Sequence, residues 1–191
     1  DERGIASFYG NKFHGYKTSS LENYDMYKFT AASKVLPLPS YARVTNLSNG
    51  KSVIVRVNDR GPFHENRIID LSYAAAVRIG IWPKGTGLVE VQGIDPAHPV
   101  AEPPPPPTVA QQGGAPELYL QVGAFGDPAN AEHLAGQLRA HDVGAVRVVD
   151  AQVGGRSFKR VQIGPLSVEQ ADRITQQIDA LGLPHAQVAV Q

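Results

Sequence analysis

The stretch Ser52–Phe63, reading SVIVRVNDRGPF, holds the strongest candidate for chemistry, the carboxyl of Asp59. Val53, Val55 and Val57 alternate with Ile54, Arg56 and Asn58, the period of a half-buried strand. The run ends in Asp59-Arg60-Gly61-Pro62, a turn signal with a carboxylate at its mouth. If the alternation holds one step further, Asp59 falls on the valine side. A carboxyl at the rim of an apolar core loses hydration and keeps its proton toward neutral pH, as a general acid requires. The competing reading is that Asp59 caps the turn through its own backbone. The stretch alone leaves both open.

Other reactive side chains are less telling. Glu22 sits in a polar loop, Ser19–Asp25, that can hold it over a groove, but isolated loop carboxylates are common on surfaces. Asp25 and Asp70 read as turn and helix-start residues. Tyr24, Tyr41 and Phe63 have the flat apolar faces on which sugars stack, and core packing suits them equally. His14 and His64 lack a partner at ligand spacing, so no metal and no other cofactor is expected. Gly85-Thr86-Gly87 lacks the rest of a phosphate loop and reads as a turn.

The elements that must position Asp59 form a first module over residues 1–95. Strands are expected at Gly4–Tyr9, Tyr41–Asn46, Ser52–Asn58 and Gly87–Ile94, with a hairpin signal at Leu47–Gly50. A helix is expected over Ser72–Ile79, with Ser72 as N-cap and Gly80 as stop, and a short helical piece around Thr30–Ser33. Short strands and many turns predict a small β-barrel. Residues 96–116 contain a run of five prolines and a Gln/Gly stretch, the composition of a spacer. Residues 117–191 form a second module. Its order is a strand at Leu118–Phe125, a helix at Pro128–His141 and a hairpin of Gly144–Val153 with Ser157–Ile163. A helix at Ser167–Leu181 and a strand at Ala186–Val190 follow. This βαββαβ order predicts two helices on one face of a four-stranded antiparallel sheet, an α+β unit with one free face. Gln121, Phe125, Arg160 and Gln162 lie on its inner strands, and period alone does not say which face each takes.

The bulk numbers exclude several classes. In 191 residues, Lys plus Arg and Asp plus Glu both total 18, so no global field draws nucleic acid. There is no cysteine, which removes disulfides, thiolate metal sites and thiol nucleophiles. No apolar run approaches the roughly 18 residues of a membrane span. The chain opens at Asp1 rather than Met, which reads as a processed or trimmed form with any lipid anchor upstream of view.

The first module resembles the rare lipoprotein A family. The resemblance rests on Ala6-Ser7-Phe8-Tyr9-Gly10, Phe13-His14-Gly15, Glu22, Tyr24-Asp25-Met26 and Phe29-Thr30-Ala31-Ala32. It continues through Leu36-Pro37-Leu38-Pro39-Ser40, Val57-Asn58-Asp59-Arg60-Gly61-Pro62-Phe63 and Ile69-Asp70-Leu71-Ser72. The second module resembles the SPOR domain through Gln121-Val122-Gly123-Ala124-Phe125, Asn130-Ala131-Glu132, Arg160-Val161 and Gly164-Pro165. The resemblance implies an all-β double-psi barrel followed by an α+β SPOR domain. It implies a lyase, an endolytic peptidoglycan transglycosylase cutting the MurNAc–GlcNAc bond of peptide-free glycan to 1,6-anhydro ends. Asp59 is then the acid/base and Glu22 the second carboxylate. Ser33 stands where the family carries a histidine, and Leu21 where it carries glycine. Tyr24, Asn58, Arg60, Gln121, Phe125, Arg160 and Gln162 become substrate-binding candidates. The implied setting is a periplasmic, outer-membrane lipoprotein at the division septum, acting in cell separation as a monomer on glycan strands. Nucleic acid and metal are not partners, and a membrane is met only through a lipid anchor outside this chain. Leu21 and Ser33 keep a second reading open, a non-catalytic, expansin-like glycan binder with a degenerate barrel.

Overall fold

A computed structural model describes residues 1–10, 13–95, 97 and 115–191. The chain divides into two compact units, Asp1–Pro116 and Glu117–Gln191. Nearly all of the expected spacer, 96–116, lies outside the described residues.

The first unit is a closed barrel of β1 (Glu2–Phe8), β2 (Thr30–Ser33), β3 (Ser40–Asn46), β4 (Ser52–Asp59), β5 (Arg67–Leu71) and β6 (Gly87–Ile94), with helix α1 (Tyr73–Arg78) before β6. Their order around the barrel is β1-β5-β2-β4-β3-β6. Closure leaves no free sheet edge. Two of the pairs, β1 with β5 and β2 with β4, are parallel, so those partners are joined by long crossings rather than hairpins. The valine alternation of β4 fills the interior: Val55 and Val57 are fully buried against Ile69 and Leu71 of β5 and Ala75, Ala76 and Ile79 around α1. Burying each valine contributes about 1.5 kcal/mol, so a charge at Val57 would empty the centre of this core. Ser72 caps α1 as the sequence predicts, its hydroxyl accepting from Ala75 N.

Two strands were not read from the sequence. Thr30–Ser33 is strand β2, not a helical piece. Its alanines favour helix in isolation, but all four residues are buried and pair with β4 on one side and β5 on the other. Tertiary pairing overrides propensity here. Arg67–Leu71, too short to announce itself, supplies β5.

The second unit is the expected α+β sheet. Strands β7 (Leu118–Phe125), β8 (Val146–Val153), β9 (Arg156–Leu166) and β10 (Gln187–Val190) lie in the order β10-β7-β9-β8, all antiparallel. Helices α2 (Pro128–Ala140) and α3 (Val168–Ala180) bury Leu134, Leu138, Ile174 and Ile178. A capping box of Ser167 and Gln170 opens α3. No helix among the described residues is long and apolar enough to cross a membrane.

Candidate functional site

The site is built where β4 ends. Ala31 of β2 pairs with Val57, but Ala32 pairs with Asp59, so one residue of β4 is extra at Asn58. A bulge of this kind re-aims side chains locally. It sends the Asn58 amide to Glu22, while Asp59 meets Tyr9 and Ser19. The simple alternation, carried one step past Val57, therefore does not describe this end of the strand.

The two oxygens of Asp59 are held unequally. Oδ1 accepts from Ser19 N at 2.9 Å, Ser19 Oγ at 2.6 Å and Arg60 N at 2.8 Å. Oδ2 accepts from the Tyr9 hydroxyl at 3.2 Å. Burial, then the charges of Asp59 and Asp70, push the Tyr9 phenol far above its ordinary 10.0, so it stays a donor. Tyr9 in turn packs against Phe13 and Tyr24, with centroids 5.9 and 5.0 Å away. The bond from Arg60 N is the self-capping turn contact, and it coexists with the others.

One loop carries both carboxylates' supports. Leu21 N donates to Thr18 O and Thr18 N donates to Glu22 O, each at 2.9 Å or less. Leu21 has φ +64°. This is the three-residue hairpin loop whose last loop position is left-handed and favours glycine. Leu21 adopts the glycine-type angle despite its side chain, which lies 77% exposed. Glu22 thereby reaches Arg56, with Oε1 at 2.5 Å from NH2. Its Oε2 accepts from Asn58 Nδ2 at 2.9 Å. The hydrogen bonds from Arg56, then Asn58, hold the Glu22 carboxyl down to about 2 from 4.5. Glu22 is thus ionised and cannot serve as a proton donor near neutral pH.

The remaining candidates are placed as follows. The Ser33 hydroxyl is buried in its own turn, accepting from Val35 N and Leu36 N. Ser33 also lines a separate hollow of about 300 Å³ with Leu36, Ile68 and Val91. Tyr24 is 5% exposed and lies beneath Tyr9, whereas Phe63 is 92% exposed beside the Gly61-Pro62 turn. Tyr41 receives Arg56 NH1 on its hydroxyl at 3.4 Å. Asp70 is in β5, not at a helix start, and pairs with Ala32 from the side opposite Asp59, so β2 lies between the two carboxylates. Burial raises its carboxyl pKa, against a hydrogen bond from the Ser7 hydroxyl.

In the second unit, strand register places Gln187, Gln121, Gln162 and Arg147 in one row across all four strands. Arg160 shares that face by the period of two along β9. Arg147 covers the row: its carbon centre lies 3.7 Å over the Tyr119 ring, and its nitrogens donate to Gln162 and Gln191. Gln162 is therefore 1% exposed. Phe125 lies apart, over Gly123 in the space shared with Leu134 of α2.

Sequence comparison adds the family. A family model described as "Lytic transglycolase" matches residues 1–92, and one described as "SPOR domain" matches 115–189. The chain is 42% identical over 172 residues to "Endolytic peptidoglycan transglycosylase RlpA" of Neisseria meningitidis serogroup A, covering 88% of this chain and 67% of that protein. The chain belongs to the rare lipoprotein A (RlpA) family. A second RlpA, from Pseudomonas aeruginosa UCBPP-PA14, is 39% identical over 228 residues, covering 93% of this chain and 66% of its own length. The chain thus spans about two thirds of the length of these RlpA relatives. The solved RlpA SPOR domain of Pseudomonas aeruginosa is 30% identical, covering 38% of this chain and 96% of its own, with a TM-score of 0.36. Family membership agrees with the double-psi barrel and the SPOR-type sheet.

Sequence reasoning named Asp59 and Glu22 but passed over Tyr9, Ser19 and Arg56, which hold them. Tyr9 and Ser19 are many residues away from Asp59 and carry no local signal.

Proposed function

We propose that this chain is an endolytic lytic transglycosylase that cuts the MurNAc–GlcNAc β-1,4 bond of peptide-free glycan to 1,6-anhydro-muramyl ends. The observation that carries the reading is the divided support of Asp59: among the described residues, three donors on Oδ1 and one phenol on Oδ2. Oδ1 is fully engaged, so Oδ2 is the oxygen that gives and takes the proton. In the forward step Asp59 protonates the leaving glycosidic oxygen as the bond to the muramyl C1 breaks. The same carboxylate then removes the proton from the muramyl C6 hydroxyl, whose oxygen closes onto C1. No water enters, and Asp59 returns to its protonated form. Glu22, held ionised, places negative charge beside the positive charge that develops on the muramyl ring. Asn58 fixes Glu22, and Arg60 and Tyr24 complete the glycan groove, Tyr24 through Tyr9. Ser33 acts through the turn it caps.

The SPOR domain binds the same peptide-free glycan and concentrates the protein at the division septum. Its binding face carries Gln121 and Arg160; Gln162, buried beneath Arg147, positions that arginine, and Phe125 lies on the helix side of the sheet beside Leu134. The protein acts in the periplasm as an outer-membrane lipoprotein, in cell separation. The left-handed angle at Leu21 speaks against the degenerate, binding-only reading, because the Glu22 loop keeps the glycine-type turn.

The test is to incubate the chain with amidase-treated sacculi and resolve the products by mass spectrometry. Products ending in 1,6-anhydro-MurNAc are expected. Reducing ends, or no soluble products where binding is plain, would refute the reading.

A further inference from the structure

The two arginines beside the site are committed differently. Arg56 spends Nε and NH2 on Glu22 and NH1 on the Tyr41 hydroxyl. Its carboxylate-binding edge is already filled by a carboxylate of the protein. Arg60 is the reverse case. Both hydrogens of its NH1 are taken by backbone carbonyls, Ser33 O at 3.2 Å and Leu36 O at 2.5 Å. Its Nε–H and NH2 have no partner among the described residues, and the side chain is exposed. The NH1 anchors fix the guanidinium plane, so the open edge is preorganised. That edge is the fork that grips a carboxylate through two parallel hydrogen bonds.

Its place relative to the chemistry follows from strand register. Ala32 pairs with Asp59, and Ser33, whose carbonyl anchors Arg60, is the next residue on that neighbouring strand. Adjacent strands lie about 4.8 Å apart, so the fork sits at the same rim as the Asp59 carboxyl. A muramyl ring with C1 at Asp59 carries a lactyl ether on C3, two ring bonds away. That ether ends in a carboxyl. On a bare strand it is a carboxylate; on a peptide-bearing strand it is an amide.

We propose that the free Nε/NH2 edge of Arg60 binds the lactyl carboxylate of the muramyl residue held at Asp59, and so selects strands without peptide. The identity of the sugar rests on the transglycosylase reading above. The selection is by charge and by acceptor count. An amide offers one oxygen, carries no charge, and turns an N–H toward a group that can only donate. Lys34 and Lys17 do not offer the same fork: each is a point charge already donating to a backbone carbonyl, of His64 and Leu21.

The test uses the full chain and the disaccharide GlcNAc–MurNAc, which contains no MurNAc–GlcNAc bond and so reports binding without turnover. It is titrated with its free lactyl carboxylate and, separately, as the methylamide, while the Arg60 Nε–H and Ser19 amide resonances are followed by NMR. The acid is expected to move the Arg60 Nε–H signal and to bind at least about 10-fold more tightly than the methylamide, the scale of a charge-assisted pair. Arg60→Lys, read at the Ser19 amide, is expected to bring the two affinities within about 2-fold. Equal affinities in the wild type, or an Arg60 signal unmoved by the acid, would overturn the proposal. Acid-selective binding without anhydro products from sacculi would overturn the transglycosylase reading and support this one. Cleavage of both bare and amidated strands at equal rates would do the opposite.

Discussion

Replacing Glu22 by Gln removes a charge while keeping the shape, and the structure sets the size and pH dependence of the result. Hydrogen bonds from Arg56, then Asn58, hold the Glu22 carboxyl down to about 2 from 4.5. At face value that lowering corresponds to about 3 kcal/mol. The two side chains of the pair are 35% and 37% exposed, and solvent screening reduces the contribution to about 1 kcal/mol. Because the folded value lies below the unfolded one, the folded state binds fewer protons. The contribution is complete above about pH 4.5 and disappears as pH falls toward 2. Glu22→Gln is therefore expected to lower the melting temperature of the barrel by about 4–8 °C at pH 7, with the gap closing between pH 4.5 and 2. Thermal melts of both proteins across that range, followed by near-ultraviolet circular dichroism, make the comparison. A gap that stays constant down to pH 2, or none at pH 7, would refute the ion-pair reasoning. Under the proposed mechanism the same variant should lose about 100-fold in anhydro-end formation, because the lost charge is the one assigned to stabilise the positive charge developing on the ring. A loss no larger than the unfolded fraction explains would assign Glu22 to stability alone.

Three further perturbations separate the roles of neighbouring groups. Tyr9→Phe deletes the phenol donor on Asp59 Oδ2 and should slow cleavage about 10-fold, the value of one hydrogen bond to a charged group; an unchanged rate under saturating glycan would place the proton elsewhere. Leu21→Gly relieves a left-handed angle worth about 1–2 kcal/mol against about 0.5–1 kcal/mol of added chain entropy. A small rise in the urea midpoint is expected, and a fall would contradict the turn geometry. Arg147→Ala uncovers Tyr119 and strips Gln162 of its donors, so the SPOR sheet should lose about 1–2 kcal/mol and the Tyr119 ring NMR signals should become quenchable by a soluble paramagnetic probe. Unchanged quenching would show that Arg147 does not shield the ring.

Part of this site was readable from the chain. The valine alternation placed β4 and put Asp59 at its end, the apolar spacing of Ala131, Leu134, Ala135 and Leu138 placed α2, and end signals at Ser72, Gly80 and Ser167 placed α1 and α3, all within a residue or two. What escaped the sequence depends on closure of the barrel. Thr30–Ser33 reads as helical until β4 and β5 flank it. Tyr9 lies 50 positions from Asp59 and Ser19 lies 40, and the folded barrel brings them together. The bulge at Asn58 has no residue signature, yet it turns Asn58 to Glu22 and frees Asp59 for Tyr9. Asp70 is similar: its partners in space are Ala32 of β2 and the Ser7 hydroxyl, its neighbours in sequence are the start of α1, and the sequence signal pointed to the latter. In the second unit, period left the facing of Gln121, Arg160, Gln162 and Phe125 undecided, and two register shifts in the β7–β9 pair explain why.

In the proposed mechanism Asp59 is the group that carries the proton both ways. The most direct measurement is the rate of 1,6-anhydro-muramyl end formation by wild type and Asp59→Asn on the same peptide-free glycan, with binding matched by sedimentation. The wild type should generate anhydro ends while Asp59→Asn, folded and bound equally well, generates none above background. Anhydro ends from Asp59→Asn at a rate near that of the wild type would contradict the mechanism.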